Sequence, residues 1–150
     1  MARYTAEVDW ALAEGEDFAA GRYGRSHVLR FDGGLEMPGS ASPHVVGKWA
    51  DPAAVNPEEM LVAALSACHM LSFLHIARLA GFGIRGYRDR AEGTMAEIAA
   101  GRQAVTRVVL HPEIDWTGPA PDADRLAALH DEAHAVCFIA NSVRAEVIVA

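Results

Sequence analysis

The amino-acid sequence predicts an α+β fold, an antiparallel sheet with helices on one side. Three observations lead there. A long apolar run over residues 60–79 has a helix start signal before it and Gly81 and Gly83 after it. Alternating stretches stand on either side of that run, some of them joined by hairpin turns. The elements then follow one another as βββαββαβ, which mixes hairpins with two long helices. At 150 residues the chain is expected to form a single domain over 1–150, large enough to remove about two-thirds of its unfolded surface from water.

Residues 3–12 alternate loosely, with Tyr4, Ala6, Val8 and Trp10 on one face of a strand. Residues 15–25 (GEDFAAGRYGR) read as a loop. A second strand over 26–31 turns through Asp32, Gly33 and Gly34 into a short third over 35–37. Residues 38–55 hold three of the seven prolines and read as a long irregular loop, a common place for function. Asn56 caps the helix, Pro57 takes its first position, and Glu59 stands three residues after the cap. Because the helix is apolar on nearly all sides, it is either buried from several directions or a membrane span. Ser66, His69, Ser72, His75 and Arg78 interrupt the run and favour a central core helix. Strands over 84–98 and 105–116, joined by a turn at 99–102, come next. Asp122 caps a second helix over 123–136, and a last strand over 142–149 alternates Val143, Ala145, Val147 and Val149.

Composition narrows the function classes. With 51% hydrophobic and 22% charged residues the chain is an ordinary globular one, not disordered or fibrous. A net charge of −7 without clustered Lys and Arg argues against a nucleic-acid surface and against an anionic membrane. Glu7 and Asp9 fall within the first ten residues and no apolar leader core is present, so a cytoplasmic location is expected. Two cysteines in a reducing compartment point to redox or metal chemistry rather than a permanent staple. No nucleotide or flavin motif is visible, and no cofactor is expected.

Cys68 lies mid-helix in "LSACHMLSFLH", where apolar company raises a thiol's pKa and makes it inert. To act as a nucleophile it needs a cation from elsewhere, since the helix dipole helps only in the first turn. His69 is poorly placed to supply it, because adjacent helical residues point about 100° apart. A packed or hydrogen-bonded role fits His69 better. Cys137 closes the second helix, and His130, His134 and Cys137 share one face at i, i+4 and i+7. That face plus Cys68 offers nitrogen and sulfur donors for a transition metal, though without the close cysteine pairs of structural zinc sites. Cys137 also sits at the negative end of its helix, which suits a secondary thiol.

The run "NPEEMLVAALSAC" (56–68), followed about seventy residues later by "AHAVCFIANSV" (133–143), resembles the OsmC/Ohr family of thiol peroxidases, and its OsmC-like branch most. The likeness spans the whole chain and implies an OsmC-like fold with a long central helix in an intertwined homodimer. It implies that Cys68 attacks a hydroperoxide, organic for preference, to give a sulfenic acid, and that Cys137 resolves it as a disulfide. The family's Glu, ten residues before the first Cys, falls on Glu58, and its N-terminal loop Arg falls on Arg25, with Arg22 in reserve. An Arg there supplies the missing cation, and Glu58 orients it. Ten helical residues put Glu58 about 15 Å from Cys68, so the Arg bridges that gap or Glu58 serves a partner subunit's site. Phe73, Phe138, His69 and Tyr23 are candidate substrate-binding residues, with Ile139 and His27 near them in sequence. His69 departs from the bulky apolar or aromatic residue common at that position. The resemblance also implies a dithiol reductant such as a lipoylated protein. A non-catalytic module that binds a small ligand or senses thiol oxidation is the competing reading on the same fold.

Overall fold

In the computed structural model, which describes residues 1–150, the chain forms two units, Met1–Met60 and Leu61–Ala150. The first contains an antiparallel meander of β1 (Ala6–Asp9), β2 (His27–Phe31) and β3 (Glu36–Gly39). Its register sets Arg30 opposite Glu7 on one side and Glu36 on the other. The Arg30 guanidinium accordingly donates to Glu7, Asp9 and Glu36 at 3.1, 3.2 and 2.6 Å. Each such exposed pair contributes little alone, but together they pin the register. The turn from β2 to β3 needs a left-handed residue, and Gly34 fills it at φ +84°. Residues 38–55 are less irregular than expected. After Gly39 they form α1 (Pro43–Val46), started by Ser42 and Pro43, and a 3₁₀ turn over Gly47–Trp49.

The predicted helix start is present in full at α2 (Pro57–Leu79). Asn56 Oδ1 accepts from the Glu59 N–H at 2.8 Å, and Glu59 Oε2 accepts from the Asn56 N–H at 3.0 Å, a reciprocal capping box. By length and composition α2 could cross a membrane. Its buried residues are Leu65, His69, Phe73 and Ala77, a single stripe at every fourth position. The apolar residues Ala64, Ala67 and Leu71 lie exposed on another face, so within one chain the helix is not buried all round.

The second unit departs from the predicted strand list. Residues 84–98 divide into β4 (Ile84–Asp89) and β5 (Glu92–Ala99), and 105–116 into β6 (Arg102–Leu110) and β7 (Pro112–Trp116). β4 pairs with β7, whereas β5, β6 and β8 (Glu146–Val149) form a separate sheet. Asp89 accounts for both divisions. Its carboxylate accepts from the His111 N–H at 2.7 Å and from Ser66 Oγ on α2, fixing the point where both strand runs change partner. The pairing of β8 with β6 is parallel, so the sheets are not wholly antiparallel. The last strand is also shorter than predicted: Ala140–Ser142 wind into a 3₁₀ turn, and the strand begins only at Glu146.

Two apolar clusters use the α2 stripe. Leu65 packs with Val108 and Leu110 of β6, and Val62, Val147 and Val149 close around them. Phe73 and Ala77 pack with Leu129 and Ala133 of α3 (Ala123–Val136), flanked by Tyr87, Ile114 and Trp116. Helix and strand approach closely at Gly93, where a Cβ would stand 2.5 Å from Val62 Cγ2.

Candidate active site

Cys137 owes its position to both ends of α3. Asp122 starts the helix by accepting from the Arg125 N–H at 2.8 Å, and Cys137 is its C-cap, with backbone already extended at φ −71°, ψ 109°. The chain turns at once into the 3₁₀ segment, so the Ala140 N–H points at Cys137 Sγ from 3.5 Å. The negative helix end expected at this thiol is therefore partly countered by new donors from the following turn.

Cys68 and Cys137 are both free thiols, Cys68 half-buried and Cys137 buried. The fold brings these two residues, from α2 and from the end of α3, within interaction range of each other. Burial pushes the Cys137 thiol up, and the neighbouring Cys68 thiol pushes it further, while the Ala140 and Ile139 N–H groups pull it down.

The same two helices also carry a pair of imidazoles. His69 Nε2 and His130 Nδ1 are 3.0 Å apart, one donating to the other, with the rings near parallel at 12°. Phe73 stacks on His130 at 4.2 Å between centroids. Burial holds both imidazoles below their ordinary range, His69 at about 4, where His130 and His134 add to the effect and Asp89 opposes it. His69 and Phe73 are 1% and 0% exposed and lie in the core, whereas Phe138 is 79% exposed. Ile139 packs at the edge of the Leu65 cluster. No group of three or more His, Cys, Asp or Glu side chains could hold a metal ion.

Arg25, Arg22, Tyr23 and Glu58 belong to the first unit. There Trp10, Phe18, Tyr23, Arg25 and His27 line a cavity of about 330 Å³ with Ser40, Ala41 and Pro57. Glu16 and Trp10 hold the loop in shape by bonding the Gly24 N–H at 2.7 Å and its carbonyl at 3.0 Å. The Arg25 guanidinium lies over the Tyr23 ring, 3.5 Å from its centroid, and donates to the Tyr23 carbonyl. Arg22, in contrast, is tied to Asp17 at 2.8 Å on the exposed side of the loop. Glu58 keeps one carboxylate oxygen buried without a partner.

A family model described as OsmC-like protein matches residues 50–150. The chain belongs to the OsmC-like family. It is 42% identical to an OsmC-like protein of unknown function from Vibrio cholerae, covering 100% of this chain and 99% of that one with a TM-score of 0.95. At 21% identity it has the fold of an organic hydroperoxide resistance protein from Elizabethkingia anophelis (TM-score 0.74, covering 100% and 96% of the two chains). At 20% identity it shares that fold with the organic hydroperoxide resistance protein OhrB of Bacillus subtilis (TM-score 0.64, covering 97% and 94%). No curated protein sequence matches it. Within this OsmC-like chain, sequence reasoning missed the bond from His69 to His130 and the junction at Asp89. The i, i+7 spacing of His130 and Cys137 was the available signal, since it placed an imidazole on the thiol's face of α3.

Proposed function

We propose that this OsmC-like chain is a thiol-dependent peroxidase that reduces organic hydroperoxides. The observation that supports it is the meeting of two free thiols, half-buried Cys68 and buried Cys137, from separate elements. Cys68 thiolate attacks the terminal peroxide oxygen, an S–O bond forms, the O–O bond breaks, and the alkoxide leaves as the alcohol after taking a proton. Cys137 then attacks the sulfenic sulfur, an S–S bond forms, and the hydroxyl leaves as water. A dithiol, such as a lipoylated protein, returns both cysteines to thiols through a mixed disulfide on the more open Cys68. This chemistry suits a reducing cytosol.

Arg25 is the proposed activating cation, with Glu58 orienting it. Arg22 is the weaker choice because Asp17 already engages it. The test is a single turnover with cumene hydroperoxide, in which reduced protein should lose two thiols and gain one disulfide between Cys68 and Cys137. Thiol loss no faster than that of free cysteine would remove the reading and leave a thiol-sensing or ligand-binding module. In the same assay Arg25→Ala should react about a hundredfold more slowly, and Arg22→Ala about as fast as wild type.

We also propose a homodimer. The open apolar face of α2 supports it, with Leu71 and Leu79 each 63% exposed, and so does β5, exposed throughout with Met95 and Ile98 among its residues. Sedimentation should give twice the chain mass of 16.1 kDa, and a stable monomer at micromolar concentration overturns the proposal.

A further inference from the structure

The pairing of His69 with His130 is an odd thing to bury. Leu129, Ala133, Phe73 and Ala77 already join α2 to α3 by apolar contact, and His69 Nδ1 is left buried with no partner. An orphaned buried nitrogen costs about 1–3 kcal/mol, and apolar side chains of similar shape would avoid that cost. The bond is therefore a poor device for stability alone. Its place in the chain suggests another use. His69 follows Cys68 directly, and His130 precedes Cys137 by two helical turns on the same face of α3. It is the one directional contact between the helices at that level, whereas the Ala77 and Ala133 contacts are small and non-directional.

We propose that the hydrogen bond between His69 Nε2 and His130 Nδ1 is a positioning device that locks α3 against α2 so that Cys137 meets Cys68. His69 and His130 are positioning residues, since neither has to touch the peroxide. The stacking of Phe73 on His130 fixes the plane of that imidazole, and the bond fixes the rotation of α3 about its own axis. A displacement of about 1 Å at reacting atoms can cost a hundredfold in effective concentration, so a contact that sets how α3 sits on α2 has leverage on the reaction of the thiols those helices carry. The inference rests on reading Cys68 and Cys137 as a redox pair, but not on peroxide as the oxidant.

Amide variants separate a positioning role from mere packing. Glutamine at residue 69 carries a polar atom where His69 has Nε2, and asparagine at residue 130 carries one where His130 has Nδ1. Asparagine at 69 and glutamine at 130 place the same amide at the wrong depth. The experiment equilibrates wild type, His69→Gln, His130→Asn, His69→Asn and His130→Gln with glutathione redox buffers and measures the fraction of Cys68 to Cys137 disulfide. His69→Gln and His130→Asn should hold the disulfide equilibrium within about threefold of wild type. His69→Asn and His130→Gln should lower it at least about tenfold, which is about 30 mV in potential. Equal losses in both kinds of variant, or no loss in either, overturn the proposal. A wild type that forms no such disulfide even in the most oxidising buffer overturns both this proposal and the redox pair, whereas a disulfide that forms in glutathione but not with cumene hydroperoxide removes only the peroxidase reading.

Discussion

Replacing Cys68 by serine is expected to abolish peroxide consumption, by at least about a thousandfold or roughly 4 kcal/mol of barrier. A hydroxyl near neutral pH has no counterpart to the thiolate that attacks the O–O bond, and no other free thiol can take over. Cys137 is buried, and its thiol is held up by that burial, so it meets neither requirement of an attacking group. Cys137→Ser should behave differently. Its first turnover should proceed, with one thiol lost in place of two, and the sulfenic acid on Cys68 should persist long enough for a dimedone-type reagent to capture it. Excess peroxide should then carry it on to the sulfinic acid and inactivate the protein. Thiol titration and intact mass read these states directly. Appreciable activity in Cys68→Ser would place the chemistry elsewhere, and a Cys137→Ser variant that cycles at the wild-type rate would remove Cys137 as the resolving thiol.

What the sequence could disclose about this fold depended on how local each signal is. The α2 start was legible because Asn56, Pro57 and Glu59 act on one another within four residues, and α3 was legible from Asp122 for the same reason. The division of residues 84–98 and 105–116 was not, because it depends on Asp89 meeting Ser66 and the His111 backbone more than twenty residues away. The parallel pairing of β8 with β6 is likewise a matter of chain routing that alternation cannot reveal. At the candidate site, the chemical type of Cys68 and Cys137 could be read from their rarity, and their roles came from the family resemblance. His69 called for a packed or hydrogen-bonded role on helical geometry. Its partner is sixty-one residues away on another helix, which no local pattern encodes.

Acidification is expected to destabilise the fold through that same imidazole pair. His69 is held from an ordinary 6.5 down to about 4, first by burial and then by the charges that His130 and His134 would carry. Asp89 from β4 favours the protonated form and is outweighed, as is Asp131 at His130, which burial also holds down. The unfolded chain therefore takes up a proton at His69 between about pH 6.5 and 4 while the folded chain does not, and stability must fall as pH falls across that window. At about 1.4 kcal/mol per pH unit the His69 share is on the order of 3 kcal/mol, present in full above that window and lost below it. His130 adds to the loss in the same direction. Carboxylates titrate over the same range, so the informative quantity is a difference. Urea unfolding at one fixed protein concentration should show wild type losing on the order of 3 kcal/mol more than His69→Gln between about pH 7.5 and 4. Parallel curves for the two proteins would mean that His69 is protonated as easily in the folded chain as in the unfolded one, contrary to its burial beside His130.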